Sequence, residues 1–248
     1  MKFRIKKFLK KRTPWYRSDY RRFMSLNNTK DFIIADNYPC VKDKFMMSGE
    51  IGSGGHYFFQ DLYVAREIFK NKPLKHIDIG SRIDGFIAHL SVFREVEVFD
   101  IRPQKSKIKN VEFVQADLMS VDSGFKDYCD SISCLHSIEH FGLGRYGDQI
   151  DPEGHLKGFK SITEILSSNG IFYFSVPMGS PNRVEFNAHR IFSLSYLVKW
   201  IEEKYVIEKF TYINDMNQLI EDVKLDNQLI KDSCGCTHGC GIFILRKK

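Results

Sequence analysis

The stretch Leu74-Lys-His-Ile-Asp-Ile-Gly-Ser-Arg-Ile-Asp-Gly85 decides the fold. Residues 76–79 read as a short strand, Gly80 as the turn that ends it, and Ile83 as the opening of a helix. A strand that turns abruptly into a helix needs a residue tolerant of positive φ and a backbone that can lie close to a ligand. Gly80 and Gly85 are the residues for such a turn. The helix end then offers free N–H groups and the positive end of its dipole to whatever binds there. This is the pattern of the first strand and binding loop of a nucleotide-type α/β domain.

Strands and helices alternate behind that loop. Residues 96–99 form a second expected strand ending at Asp100, 111–116 a third ending at Asp117, and 131–135 a fourth ending at His136. Residues 171–176 make a fifth, opened by Gly170, and 205–210 and 242–245 the last two. Helices are expected over 56–69, with Phe58, Leu62, Ala65 and Phe69 as one stripe, and from Asp151-Pro152, with Leu156, Phe159, Thr163 and Leu166 inside. A third starts at Ser193 and carries Leu197, Trp200 and Ile201. The expected fold class is therefore α/β: a mostly parallel seven-stranded sheet, Rossmann-like, with helices on both faces.

The chain of 248 residues is long enough for one large domain with a real core. No apolar run reaches the length of a membrane span, and no secretory signal follows the basic start, so a cytoplasmic location is expected. The six cysteines suggest no disulfide framework. The net charge of +6 is unevenly placed. Residues 1–22 hold ten Lys/Arg against Asp19 alone, whereas the remainder carries 27 basic and 30 acidic residues. A basic N-terminal extension over 1–30 thus precedes a mildly acidic domain over 31–248, and no nucleic-acid partner is expected. Met1, Ile5, Phe8 and Leu9 repeat at helical spacing and lead to Trp15-Tyr16. Such a segment suits an anionic membrane surface, on its inner face for a cytoplasmic protein, and suits a solvated tail equally well. Residues 23–55 read as irregular connection.

Asp78, Asp100 and Asp117 stand at or just past the ends of the first three strands, where an open parallel sheet has its ligand crevice. An acid ending the second strand can accept both ribose hydroxyls, each such bond worth roughly 1.5–3 kcal/mol. A dinucleotide site wants Gly-x-Gly-x-x-Gly, and its middle glycine is replaced here by Arg82, with Asp84 close behind. Bulk at one position and negative charge at the other disfavour pyrophosphate, and with it a nicotinamide-dependent oxidoreductase. S-adenosyl-L-methionine (SAM), a sulfonium without phosphate, suits the acidic loop better. The plainer alternative is a tight βα turn with solvated carboxylates.

The loop resembles motif I of class I SAM-dependent methyltransferases. Over roughly residues 38–200 the chain resembles the domain-of-unknown-function family number 268. The segments Gly-His-Tyr-Phe-Phe-Gln-Asp-Leu (55–62), His-Ile-Asp-Ile-Gly-Ser-Arg-Ile-Asp-Gly (76–85), Asp-Ile-Arg-Pro (100–103), Leu-His-Ser-Ile-Glu-His-Phe-Gly-Leu-Gly-Arg-Tyr-Gly-Asp (135–148), Ser-Val-Pro-Met-Gly (175–179) and Phe-Asn-Ala-His-Arg-Ile-Phe (186–192) carry that resemblance. It implies a methyltransferase-like fold and a role in glycan assembly. The cofactor set it implies is Asp78, Gly80, Ser81, Gly85, Asp100, Ile101, Asp117, Leu118 and His136. The implied acceptor is a small-molecule or lipid-linked glycan, methylated at oxygen. A non-catalytic member of the fold serving glycan assembly is the other reading.

The densest reactive stretch follows the fourth strand: His136, Glu139, His140, Arg145, Tyr146 and Asp148. A hydroxyl acceptor needs a base, and histidine suits neutral pH. His136, Glu139 and His140 share one helical face if this stretch is helical. A carboxylate beside an imidazole then raises its pKa and orients its ring. His189 and Arg190 follow the fifth strand and reach the same rim, where Arg190 can fork onto an acidic acceptor or serve in a structural ion pair. Cys234-Gly-Cys236-Thr-His238-Gly-Cys240 packs four soft ligands into seven residues. Alternating ligands that tight strain a tetrahedron, so the stretch reads as a Gly-rich turn and no metal is expected.

Overall fold

The computed structural model describes residues 13–26, 34, 55–105, 107–120 and 123–248. Two units emerge, residues 1–53 and 54–248. In the first, helix α1 (Pro14–Leu26) buries no residue. The helix expected over the first twelve residues lies outside the described residues, as do Gly52–54 of the glycine-rich connection. The described helix instead starts at Pro14, whose fixed φ suits a first helical turn.

The second unit holds the sheet. Its strands are β1 (His76–Ile79), β2 (Val96–Asp100), β3 (Val111–Gln115), β4 (Cys129–Leu135), β5 (Leu166–Met178), β8 (Tyr205–Ile213), β9 (Leu219–Ile220) and β10 (Gly239–Lys247). They lie in the order β3-β2-β1-β4-β5-β10-β8-β9. β1 to β5 pair in parallel, and β10 runs antiparallel between β5 and β8. The sheet therefore has eight strands, one more than the sequence pattern indicates. β9 has two residues, too few for alternation to register. A separate ribbon joins β6 (Arg183–Glu185) to β7 (His189–Ile191).

Buried parallel strands read as continuous apolar runs, and β5 does so. Phe172 and Phe174 face one side, packed with Phe159 and Ile162 of α4 (Gly154–Ile165) and Leu197 and Ile201 of α5 (Leu194–Ile201). Tyr173 faces the other, with Tyr63, Val64 and Ile68 of α2 (His56–Asn71) and Leu90 of α3 (Ala88–Ser91). A last short helix, α6 (Asn227–Asp232), precedes β10. Ser193 caps α5 by accepting from Tyr196 N–H.

Of the stripe expected on α2 Ala65 is buried, but the three large side chains face outward. Phe58, Leu62 and Phe69 are exposed, and the buried face carries Gln60, Asp61, Val64, Glu67 and Ile68. The polar residues there have partners: Gln60 Oε1 accepts from Ser175 Oγ at 2.5 Å, and Glu67 binds Lys70 and Lys209 at 2.6 and 2.9 Å. Periodicity counts apolar residues and is blind to buried polar groups whose partners lie far along the chain. The turn after α4 also differs. The helix stops at Ile165 and β5 begins at Leu166, but its pairing with β4 is irregular until Ile171, from which it runs in register just after Gly170.

Candidate cofactor cleft

β1 has β2 on one side and β4 on the other, so the chain changes direction across the sheet at this point. The crevice expected there lies at the carboxyl ends of the strands. A cavity of about 270 Å³ occupies it, lined by Gly80, Ser81, Asp100, Ile101, Asp117, Leu118, His136 and His140 of the residues singled out above. Tyr57, Arg102, Arg145 and Tyr146 are also among its walls. A wider cleft of about 910 Å³ opens at the other end of β1–β3, against Lys75, Glu97 and Asn110. It lies at the amino ends of the strands, away from the loops that carry chemistry.

Gly80 has φ +70°, and its N–H donates to Phe99 O at 2.9 Å. A Cβ there would stand 2.5 Å from Ser137 Oγ. Both facts call for glycine. Asp78 is fully buried beneath the loop and outside the cavity wall. It accepts from Ser81 N and Oγ at 2.9 and 2.8 Å and from Ser133 Oγ at 2.6 Å. Burial pushes its carboxyl up to about 6. Asp78 thus braces the loop, and its assignment as a cofactor contact is corrected. Gly85 is corrected likewise. It sits at a kink where a Cβ would meet Asp61 Oδ2 at 2.8 Å, so it lets α2 approach.

Asp100 lines the cavity with both oxygens engaged. Arg102 Nε and Nη2 donate to Oδ1 and Oδ2 at 2.9 and 2.6 Å, and Arg102 N–H donates to Oδ1 at 2.8 Å. The Arg102 guanidinium also stands over the Tyr146 ring, 4.5 Å from its centre. A ribose reaching Asp100 has to displace this fork. Arg82 and Asp84 form their own exposed pair at 2.8 Å, so Asp84 adds less negative charge to the loop than the sequence implies. Asp117 Oδ1 accepts from Met119 N–H at 2.9 Å.

After β4 the chain makes one tight turn over residues 138–140, which gathers the expected trio. His136 has φ +48° and is buried, with Nδ1 2.9 Å from Glu139 Oε1. Burial opposes its charge, but the Cys240 sulfur and the Glu139 carboxylate outweigh burial and hold its pKa well above the ordinary value. Its Nδ1 is taken up by Glu139, which leaves Nε2 as the nitrogen open to other chemistry. His140 behaves oppositely. Burial lowers its pKa, and Nδ1–H donates to Ala188 O at 2.7 Å, while Nε2 stands 3.8 Å from Glu139 Oε1.

Arg190 is buried. Nη1 donates to Glu139 O and Phe141 O at 3.2 and 2.6 Å, and Nη2 to Asp151 O and Pro152 O at 3.5 and 3.1 Å. Both ends of its fork hold backbone carbonyls, so it pins the loop over 139–152 to β7, and its assignment as a fork onto an acidic acceptor is corrected. His189 lies off the cavity, stacked on His238 with centroids 5.5 Å apart. The cysteine stretch splits: Cys234 ends near α6, while Cys240 enters β10 and reaches the His136 ring. Sequence reasoning did not single out Tyr57 and Arg102 as cavity residues. Both fall within segments 55–62 and 100–103, so the signal was present. Among the described residues no helix is long and apolar enough to cross a membrane.

Strand order, loop and cleft together define a Rossmann-like methyltransferase fold. The chain belongs to the family described as Caenorhabditis protein of unknown function, DUF268, whose model matches residues 88–247. No curated protein matches it. Among solved structures, 1,6-didemethyltoxoflavin-N1-methyltransferase of Burkholderia thailandensis, with 1,6-didemethyltoxoflavin and S-adenosylhomocysteine bound, shares 15% identity at a TM-score of 0.54, covering 77% of this chain and 79% of that one. A SAM-dependent methyltransferase from Clostridium acetobutylicum shares 12% at 0.50, covering 77% and 92%. The N-methyltransferase NodS of Bradyrhizobium japonicum shares 9% at 0.50, covering 76% and 96%. At these identities the likeness is one of fold.

Proposed function

We propose that this protein is a SAM-dependent methyltransferase acting on oxygen of a sugar or glycan intermediate. One observation carries the reading. The cavity at the carboxyl ends of the strands places the glycine cradle of Gly80 and the Asp100 carboxylate together with His140, whose ring is held by Ala188 O. The structures it resembles include one solved with S-adenosylhomocysteine, which supports the same cofactor here.

Gly80 and Ser81 would take the amino-acid end, Asp100 the ribose, and Asp117 with Leu118 the base. When bound, SAM supplies a methyl group on a sulfonium. His140 accepts the acceptor's proton at Nε2 while Ala188 O holds its ring, and Tyr57 and Tyr146 exclude water from the cavity. Placement does most of the remaining work, since methyl transfer is an in-line displacement. The glycan acceptor rests on the family resemblance alone. The lower pKa of His140 keeps it deprotonated at pH 7, so the rate should rise with pH below 6.5 and stay level above.

Calorimetric titration with SAM and, separately, NAD tests the cofactor. The reading expects SAM alone to bind. His140→Ala should then cost about a hundredfold or more in single-turnover rate with a panel of glycan acceptors, at unchanged SAM affinity. SAM binding with no turnover on any acceptor would favour the scaffold reading, for which the occupied Asp100 carboxylate already speaks.

A further inference from the structure

Five of the eight histidines gather beside the cleft: His56, His136, His140, His189 and His238. Methyl transfer as proposed uses one. Three side chains from distant parts of the chain converge more closely than the rest. His56 is the first residue of α2, His136 leaves β4, and Cys240 is the second residue of β10. A nitrogen of each histidine and the Cys240 sulfur all lie within 4.8 Å of one another. We propose that His56, His136 and Cys240 bind a divalent transition-metal ion of the zinc type.

The donor set fits. Imidazole nitrogen and thiolate sulfur are what zinc takes, at about 2.0–2.3 Å, and the three donor atoms stand together in one place. His136 Nε2 is buried and has no hydrogen-bond partner, an arrangement proteins avoid unless something else occupies the atom. Its other nitrogen faces the Glu139 carboxylate at 2.9 Å. A ligating histidine characteristically donates its far N–H to a carboxylate, which fixes the tautomer and makes the ring more basic.

The backbone supports the same reading. His136 holds φ +48°, a conformation costly for a side-chain-bearing residue. The His56 and His136 rings lie nearly parallel, 13° apart, with centroids 5.6 Å apart, as two imidazoles on one ion can. Cys240 is fully buried, its sulfur at 3.8 Å from Gln60 Oε1. Three protein ligands leave a fourth position for water or an acceptor hydroxyl. His136 lines the cofactor-side cavity, His56 lines a second, open cleft with Asp215 and His238, and Tyr57 lines both, so the trio stands in the wall between them.

The full chain, freed of metal with chelator and dialysed, is titrated with cobalt(II) and then zinc. The expected result is one cobalt per chain with a thiolate-to-cobalt charge-transfer band, displaced by zinc. Cys240→Ala should remove that band. His56→Gln, at a half-buried helix start, should weaken binding at least tenfold with an unchanged circular-dichroism spectrum, and Glu139→Gln about tenfold to a hundredfold. Cys234→Ala should change nothing. Failure to bind cobalt stoichiometrically, a band that survives Cys240→Ala, or one lost in Cys234→Ala overturns the site. SAM plays no part in this titration, so its outcome is independent of the proposed activity.

Discussion

Gly80 and Ser137 interlock: a Cβ on the glycine would stand 2.5 Å from the serine hydroxyl, so the loop after β1 closes directly on the loop after β4. Gly80→Ala must either move Ser137 or open the turn, and a side chain at φ +70° is strained regardless. We expect Gly80→Ala to weaken SAM binding at least tenfold by calorimetry, with Gly147→Ala, where nothing stands within 4 Å of the added carbon, as the control for a positive-φ glycine.

The Arg102 fork on Asp100 makes a paired prediction. Asp100→Ala should weaken SAM binding about tenfold, since it removes the ribose acceptor. Arg102→Ala should bind SAM equally or up to about fivefold tighter, because an exposed ion pair worth about 0–1 kcal/mol no longer has to be displaced. Weaker binding in Arg102→Ala would mean that the arginine itself touches the cofactor.

Arg190 donates to backbone carbonyls of Glu139, Phe141, Asp151 and Pro152, and no other donor replaces it. Arg190→Met should destabilise the protein by about 3 kcal/mol, on the order of a 6–12 °C fall in melting temperature. Arg190→Lys should recover little, because an ammonium cannot fork across a loop. A melting temperature unchanged in Arg190→Met would contradict the pinning role.

His76 is fully buried with both ring nitrogens on serine hydroxyls, Ser131 at 2.7 Å and Ser133 at 3.0 Å. Burial, with Arg94 nearby, depresses its pKa well below 6.5. The unfolded chain takes up this proton below 6.5 and the folded chain does not. Stability is therefore fully present above that pH and falls beneath it by about 1.4 kcal/mol per pH unit. Urea unfolding at pH 7, 6 and 5 should show the parent losing stability faster than His76→Gln by roughly that slope. Asp78, raised to about 6, acts in the opposite direction but equally in both proteins.

The basic extension supplies the last prediction. Attraction of about 1 kcal/mol per Lys/Arg near an anionic surface makes even partial engagement of residues 1–22 measurable. Deleting them should leave SAM affinity unchanged and abolish salt-sensitive co-sedimentation with anionic vesicles. Equal sedimentation of both proteins would remove the membrane role.

Much of this fold was legible because its signals are local. The Gly80 turn, the acids at strand ends, the Ser193 cap and the apolar run of β5 each announce themselves within a few residues. What escaped is long-range. The inner face of α2 depends on Ser175 and Lys209, more than a hundred residues away, and so reads as polar. Arg190 looks like an anion binder until the loop it holds is in place. His136 and His140 carry the same side chain four residues apart, yet opposite pKa shifts, because burial prevails at His140 while the Cys240 sulfur and the Glu139 carboxylate outweigh it at His136. Cys240, read from sequence as part of a Gly-rich turn, has its neighbours across the sheet, in His56 and His136, outside its own seven residues.

β10 is synthesised after β5 and β8, yet it lies between them. While the chain emerges from the ribosome, those two strands stand with facing edges unpaired, separated by the gap that β10 will fill. Unpaired edges of this kind invite wrong pairing. The same late strand that completes the sheet also brings Cys240 beside His56 and His136. Biosynthesis and site assembly thus finish in a single event.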